Sequence, residues 1–126
     1  MNLHSKNNAS QITGQKGEEQ AAFFLTAANY KILDINWHYR KFEIDIIAEY
    51  DNKLIIVEVK TRSTNLFGNP ESFVSLKKQQ FLIAAANAYA EKKQLDKEIR
   101  FDIVSVLFHN NQFTIEHIPD AFYPRL

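Results

Sequence analysis

The sequence predicts a single mixed α/β domain with one sheet and flanking helices, and three observations carry that expectation. Two segments repeat apolar residues at helical spacing, and five shorter ones are rich in β-branched and aromatic residues. The two kinds are interleaved as helix, three strands, helix, two strands. A chain of 126 residues fits one compact domain.

Residues 1–13 hold Asn, Ser and Gln with no apolar period and read as a flexible leader, so the domain is expected over 14–126. From Gly14, Ala21, Ala22, Leu25 and Ala28 recur at three- and four-residue steps, and Glu18 and Glu19 suit the positive end of a helix. Ile32, Leu33, Ile35 and Trp37 give the strand Lys31–His38. Glu43–Tyr50 and Lys53–Lys60 read as a hairpin turning at Asp51-Asn52. Thr61–Pro70 is a polar loop, with Pro70 placed near the start of a second helix. That helix runs to about Lys93 with Phe81, Leu82, Ala85 and Tyr89 on one face. Arg100–Phe108 and Gln112–His117 are the last two strands, turning at His109–Asn111.

Composition narrows the function classes. Cysteine is absent, which excludes disulfides, thiolate metal sites and a thiol nucleophile, and fits a reducing compartment. No signal-peptide core is visible, and the longest apolar-leaning run, Phe81 to Ala90, is far too short for a bilayer about 30 Å thick. The expectation is a cytoplasmic protein without a membrane partner. The 15 basic and 15 acidic residues cancel, which argues mildly against a nucleic-acid binder. An acidic metal site offsetting a local basic patch is compatible with the same sum.

The hairpin carries the chemistry. A two-residue turn at Asp51-Asn52 puts Tyr50 opposite Lys53, Asp45 opposite Glu58 and Glu43 opposite Lys60, all four on one face. Ile44, Ile46 and Ala48 with Ile55, Val57 and Val59 then form an apolar opposite face. Like charges directly opposed destabilise a sheet, so Asp45 against Glu58 needs a reason. A divalent cation such as Mg²⁺ between them supplies one, with Lys60 beside it to serve an attacking water or a developing charge. The plainer alternative is a surface Glu43–Lys60 ion pair with Asp45 and Glu58 solvated, and an odd-length turn would separate the carboxylates.

Asp45 followed by Glu58-Val59-Lys60 is similar to the D-x(n)-E-x-K pattern of the PD-(D/E)xK nuclease superfamily. A longer ordered set resembles the YraN-like family, a set of predicted endonucleases. It comprises Gly14 to Glu18, Asn36-Trp37, Glu43-Ile44-Asp45, Val57 to Arg62, Phe67 to Pro70 and Arg100-Phe101-Asp102. The similarity covers residues 14–118. The resemblance implies a restriction-endonuclease-like fold, similar to Holliday-junction resolvases. It also implies metal-dependent hydrolysis of nucleic acid, with DNA the expected substrate and Mg²⁺ or Mn²⁺ the cofactor. Catalytic roles then fall to Glu18, Asp45, Glu58 and Lys60, and metal ligation to Asp45, Glu58 and the Val59 carbonyl. Glu18 shares a helix face with Ala21, Ala22 and Leu25 and so points at the sheet. Without the resemblance, the preferred reading is a helix-dipole carboxylate.

The family usually has Gly before Glu-Ile-Asp, where this chain has Phe42. That ring is expected to be partly exposed, free to stack on a base or lean on a partner. Lys41, Arg62, Lys77 and Lys78 are expected to touch phosphates, against the alternative of an ordinary solvated basic cluster. The four histidines show no metal spacing, and Trp37 and Tyr39 read as packing residues. The other functional class open to this sequence is a non-catalytic nucleic-acid-binding module that keeps the fold. Resolvase-like relatives often act as dimers, which leaves a homodimer open.

Overall fold

The computed structural model describes residues 5–62 and 74–123, and over 5–14 the backbone alone. Seven elements follow in the expected order: helix α1 (Ser5–Ala27), strands β1 (Lys31–Tyr39), β2 (Phe42–Tyr50) and β3 (Lys53–Arg62), helix α2 (Leu76–Lys92), and strands β4 (Ile99–His109) and β5 (Gln112–Phe122). The strands form one five-stranded sheet in chain order. Every neighbouring pair is antiparallel except β3–β4, which is parallel. This is an α/β fold consistent with a restriction-endonuclease-like architecture.

Side-chain alternation sorts the sheet into two cores. Leu54, Ile56, Phe101 and Ile103 pack with Leu82, Ala85, Ala86 and Tyr89 of α2. Ile55, Val57, Val104 and Val106 pack with Ala21 and Leu25 of α1. One helix therefore covers each face. Trp37 and Tyr39 are partly buried against the α2 core, the packing role their spacing predicts.

Two turns pin the registers. Asp51 and Asn52 have φ of 52° and 58°, and Asn110 and Asn111 have 52° and 62°. Positive φ at both central residues is the type I′ signature, whose twist matches that of the strands it joins. The first turn sets Tyr50 opposite Lys53 and the ladder continues to Ile46 opposite Val57, as the even-length turn requires.

The boundaries differ by more than one residue in four places. α1 begins at Ser5, well before Gly14, because residues 5–13 contain no Gly or Pro and polarity alone does not interrupt a helix. β3 continues through Thr61 and Arg62, which are carried by their pairing with Val106 and Leu107. α2 begins at Leu76, with the Ser75 hydroxyl accepting the Lys78 N–H at 3.1 Å. Pro70 and the rest of the expected loop lie outside the described residues. β5 runs past His117 and Pro119 to Phe122, which an edge strand allows because its outer N–H groups have no partner to lose.

One face assignment is corrected. Ile44 packs with Ile47 in the α2 core, whereas Ile46 and Ala48 belong to the α1 core. Alternation along β2 therefore slips around Asp45. The neighbouring strand has an irregularity at the same level: Asn36, between the partners of Ile46 and Ile44, has a left-handed φ of 54°. Asparagine is among the few residues that adopt that region readily. Among the described residues, no helix is long and apolar enough to cross a membrane.

Candidate metal centre

Three elements deliver four carboxylates to one place. Glu18 comes from α1, Glu43 and Asp45 from β2, and Glu58 from β3. Carboxylate oxygens of Glu18, Glu43 and Asp45 lie within 4.8 Å of one another. Gly17 makes the approach of α1 possible. A Cβ there would fall inside the Thr61 side chain of β3, so only glycine lets the helix sit this close.

Asp45 is anchored through the backbone of β3, its Oδ2 accepting the Val59 N–H at 2.8 Å. That bond replaces the continuation of the ladder, which ends at Ile46 opposite Val57. The expected pairs Asp45 opposite Glu58 and Glu43 opposite Lys60 therefore do not extend the ladder. Glu43 turns instead to His38, with Nε2 3.0 Å from its Oε2. Lys60 lies beside Glu58 on its own strand, Nζ to Oε2 3.5 Å.

Glu58 is 4 % exposed, the most unusual burial in the cluster. Its Oε2 also meets the Lys78 ammonium at 3.1 Å, whereas its buried Oε1 has no hydrogen-bond partner. Burial first, then the Glu58 charge, pushes the Asp45 carboxyl up to about 8 against the pull of the Val59 N–H. The Glu18 charge adds to the push. Glu18 is raised chiefly by burial, opposed by a hydrogen bond from the Asn36 side chain, with Glu43 and Glu58 adding repulsion.

An oxygen-only donor set, several crowded carboxylates and an orphaned buried oxygen fit a hard divalent cation such as Mg²⁺ or Mn²⁺. A groove of about 260 Å³ adjoins the cluster, lined by Gln15, Glu18, Glu19, Ile35 and Asn36.

Of the residues expected at the site, Glu18, Asp45, Val59, Glu58 and Lys60 come together. Lys78 joins them, engaged with Glu58. Phe42 is half-buried and leans on this chain's own Phe81, ring centroids 3.8 Å apart. Lys77 sits 6.0 Å over the same Phe81 ring, and Lys41 is exposed in the β1–β2 turn. Arg62 ends β3 opposite Leu107.

The expected set omits Glu43 and Asn36, although both stand in the quoted motifs. It also omits a second polar cluster around Asp102. Fully buried, Asp102 accepts from Arg100 Nε at 2.9 Å and Nη2 at 2.8 Å, and from the Asp120 N–H at 3.0 Å. His117 Nε2 lies 2.8 Å away, and Arg100 also donates to the Tyr30 hydroxyl at 2.7 Å. Burial would raise the Asp102 carboxyl, but His117, Arg100 and Asp120 together hold it below the usual range.

Fold and site together define a mixed α/β domain whose carboxylates converge where two antiparallel strands stop pairing. The chain belongs to the family described as "Uncharacterised protein family UPF0102", YraN-like, whose profile matches residues 17–106. That span includes every carboxylate of the cluster. The chain is similar to a UPF0102 protein of Phocaeicola vulgatus, 50% identical over 111 residues covering 88% of this chain and 92% of the relative. A UPF0102 protein of Christiangramia forsetii is 50% identical over 110 residues, 87% and 92% of the two chains. One from Bacteroides thetaiotaomicron is 46% identical over 113 residues, 90% and 93%.

Proposed function

We propose that the protein is a metal-dependent endonuclease of the PD-(D/E)xK type that hydrolyses phosphodiester bonds of nucleic acid, DNA in the first instance. The supporting observation is the buried Glu58, with one oxygen unpartnered and Asp45 raised beside it. A folded protein has no structural use for that arrangement, since apolar residues would fill the space at lower cost. A divalent ion gives the oxygen its partner.

In this reading Asp45, Glu58 and the Val59 carbonyl hold the ion, and Glu18 and Glu43 assist directly or through water. Once bound, Mg²⁺ or Mn²⁺ supplies a Lewis acid for the phosphoryl oxygens and a more acidic water. The Val59 N–H fixes one Asp45 oxygen and leaves the other free to ligate. Lys60, kept near Glu58 by their shared strand, orients the attacking water or stabilises charge building on the phosphate. Buried walls around Glu58 strengthen each of these interactions.

The test is cleavage of branched, single-stranded and duplex DNA in Mn²⁺ by wild type, Asp45→Ala and Lys60→Ala. Cutting by wild type that both substitutions abolish is the expected outcome. DNA binding without cutting would replace the enzyme reading with a binding module.

A further inference from the structure

We infer that Lys78 is a stand-in cation, neutralising Glu58 while no metal is bound and released to a substrate phosphate when the ion arrives. This rests on the metal-centre reading above and adds a residue and a role to it.

The argument begins with the Glu58 carboxylate. Two ammoniums, Lys78 at 3.1 Å and Lys60 at 3.5 Å, share the single oxygen Oε2. The other oxygen, Oε1, is buried and has none. The lysines draw the charge to one side and leave the opposite side for a further cation.

The two lysines are not equivalent. Lys60 lies on the strand that carries Glu58, and its side chain is 22% exposed. Lys78 reaches in from another element, α2, and its side chain is 43% exposed. A lysine on a flexible four-carbon stem with an open path to water can move without disturbing the sheet. Its root is nevertheless fixed, because the Ser75 hydroxyl accepts the Lys78 N–H.

Its position also runs against local preference. The first turn of a helix favours acidic residues, and α2 has none there. It carries Lys77 and Lys78 instead, at the positive end of the dipole. Glu58 compensates Lys78 in the present arrangement. A phosphate compensates it equally well, because helix N-termini and lysines both favour that anion. Binding of a divalent ion to Glu58 removes much of the attraction that keeps the ammonium in place, so arrival of metal and readiness for phosphate are coupled.

The experiment is calorimetric titration of Mn²⁺ into wild type, Lys78→Met and Lys78→Arg without nucleic acid. Removing a competing cation should tighten Mn²⁺ binding by about two- to tenfold in Lys78→Met, with Lys78→Arg staying near wild type. In a Lys60→Ala background that only binds, Lys78→Met should also weaken duplex DNA binding in Mn²⁺ and lower its salt slope by roughly one. Should Lys78→Met fail to fold, Lys78→Gln gives the same comparison. A merely structural ion pair would lower the melting temperature and leave Mn²⁺ affinity equal or weaker. That result, with wild type still binding Mn²⁺, overturns the inference and spares the metal centre. If no variant, wild type included, binds Mn²⁺, the metal centre falls and the inference falls with it.

Discussion

Asp45 is strained by its company rather than by its backbone partner. Folding raises its carboxyl from the ordinary 3.8 to about 8. Across that window the folded chain holds a proton that the unfolded chain has released, so stability falls as pH rises. Glu18 is raised as well and contributes with the same sign. Asp102 is lowered, so its contribution is complete above the ordinary carboxylate range and is lost only on acidification below it. The metal-free protein should therefore melt at lower temperature at about pH 8 than at about pH 5. Asp45→Asn should flatten that slope, and a melting temperature that instead climbs with pH would contradict the charge crowding. Asp102 behaves oppositely under mutation. Asp102→Ala leaves the Arg100 guanidinium largely buried without its carboxylate, and urea unfolding should show a loss of about 3–5 kcal/mol. The turn register brought Asp45 and Glu58 to the same end of the hairpin in the sequence, but not the way they meet, since the ladder stops at Ile46 opposite Val57 and Asp45 accepts the Val59 N–H instead. The Asp102 cluster was not legible, because Tyr30, His117 and Asp120 reach it from elements far apart in the chain.

At the scale of elements, the hairpins were legible because their turns announce themselves. Asp51-Asn52 is a short polar pair able to take positive φ, and placing it fixes the first register; the second turn was expected over His109–Asn111, one residue longer than the Asn110-Asn111 pair that makes it, because His109 pairs with Gln112. The slip in β2 was hidden for the converse reason: it accompanies Asn36 on the adjacent strand, and no pattern within Glu43–Tyr50 reports it. The close seating of α1 on β3 was equally silent, since a lone glycine in a helical run has several uses. Gly17→Ala tests that seating. Helix propensity alone would make it stabilising by roughly 1 kcal/mol. Overlap with Thr61 should outweigh this and leave the variant about 1–3 kcal/mol less stable by urea unfolding, with Thr61→Ala restoring part of the loss. A gain in stability would show that the helix does not need its close approach.

The whole molecule was the most legible level, because interleaved helical and strand periods leave few ways to cover both faces of one sheet. Zero net charge is the least informative global number, for it averages an acidic cluster with the lysines around it. The same crowding predicts the response of the entire fold to metal. Saturating Mn²⁺, about a hundred times its dissociation constant, should add about 2–3 kcal/mol and raise the melting temperature by several degrees. At a fixed Mn²⁺ concentration the increment should grow between about pH 6 and about pH 8, because at the lower pH the ion must displace the Asp45 proton into solvent. A shift independent of pH would point to binding elsewhere. The parallel junction of β3 and β4 gives the molecule an order of assembly. β1, β2 and β3 can close as a meander through two short turns, and β4 with β5 through one. Joining the two pieces requires closing the longest loop of the sheet, which is entropically the slowest step. Val59, and with it the grip on Asp45, belongs to the first piece, whereas Ile103, which pairs with Glu58, belongs to the second. The site therefore spans the join: the end of its ladder lies in the meander, and the strand that pairs with Glu58 comes from the other piece.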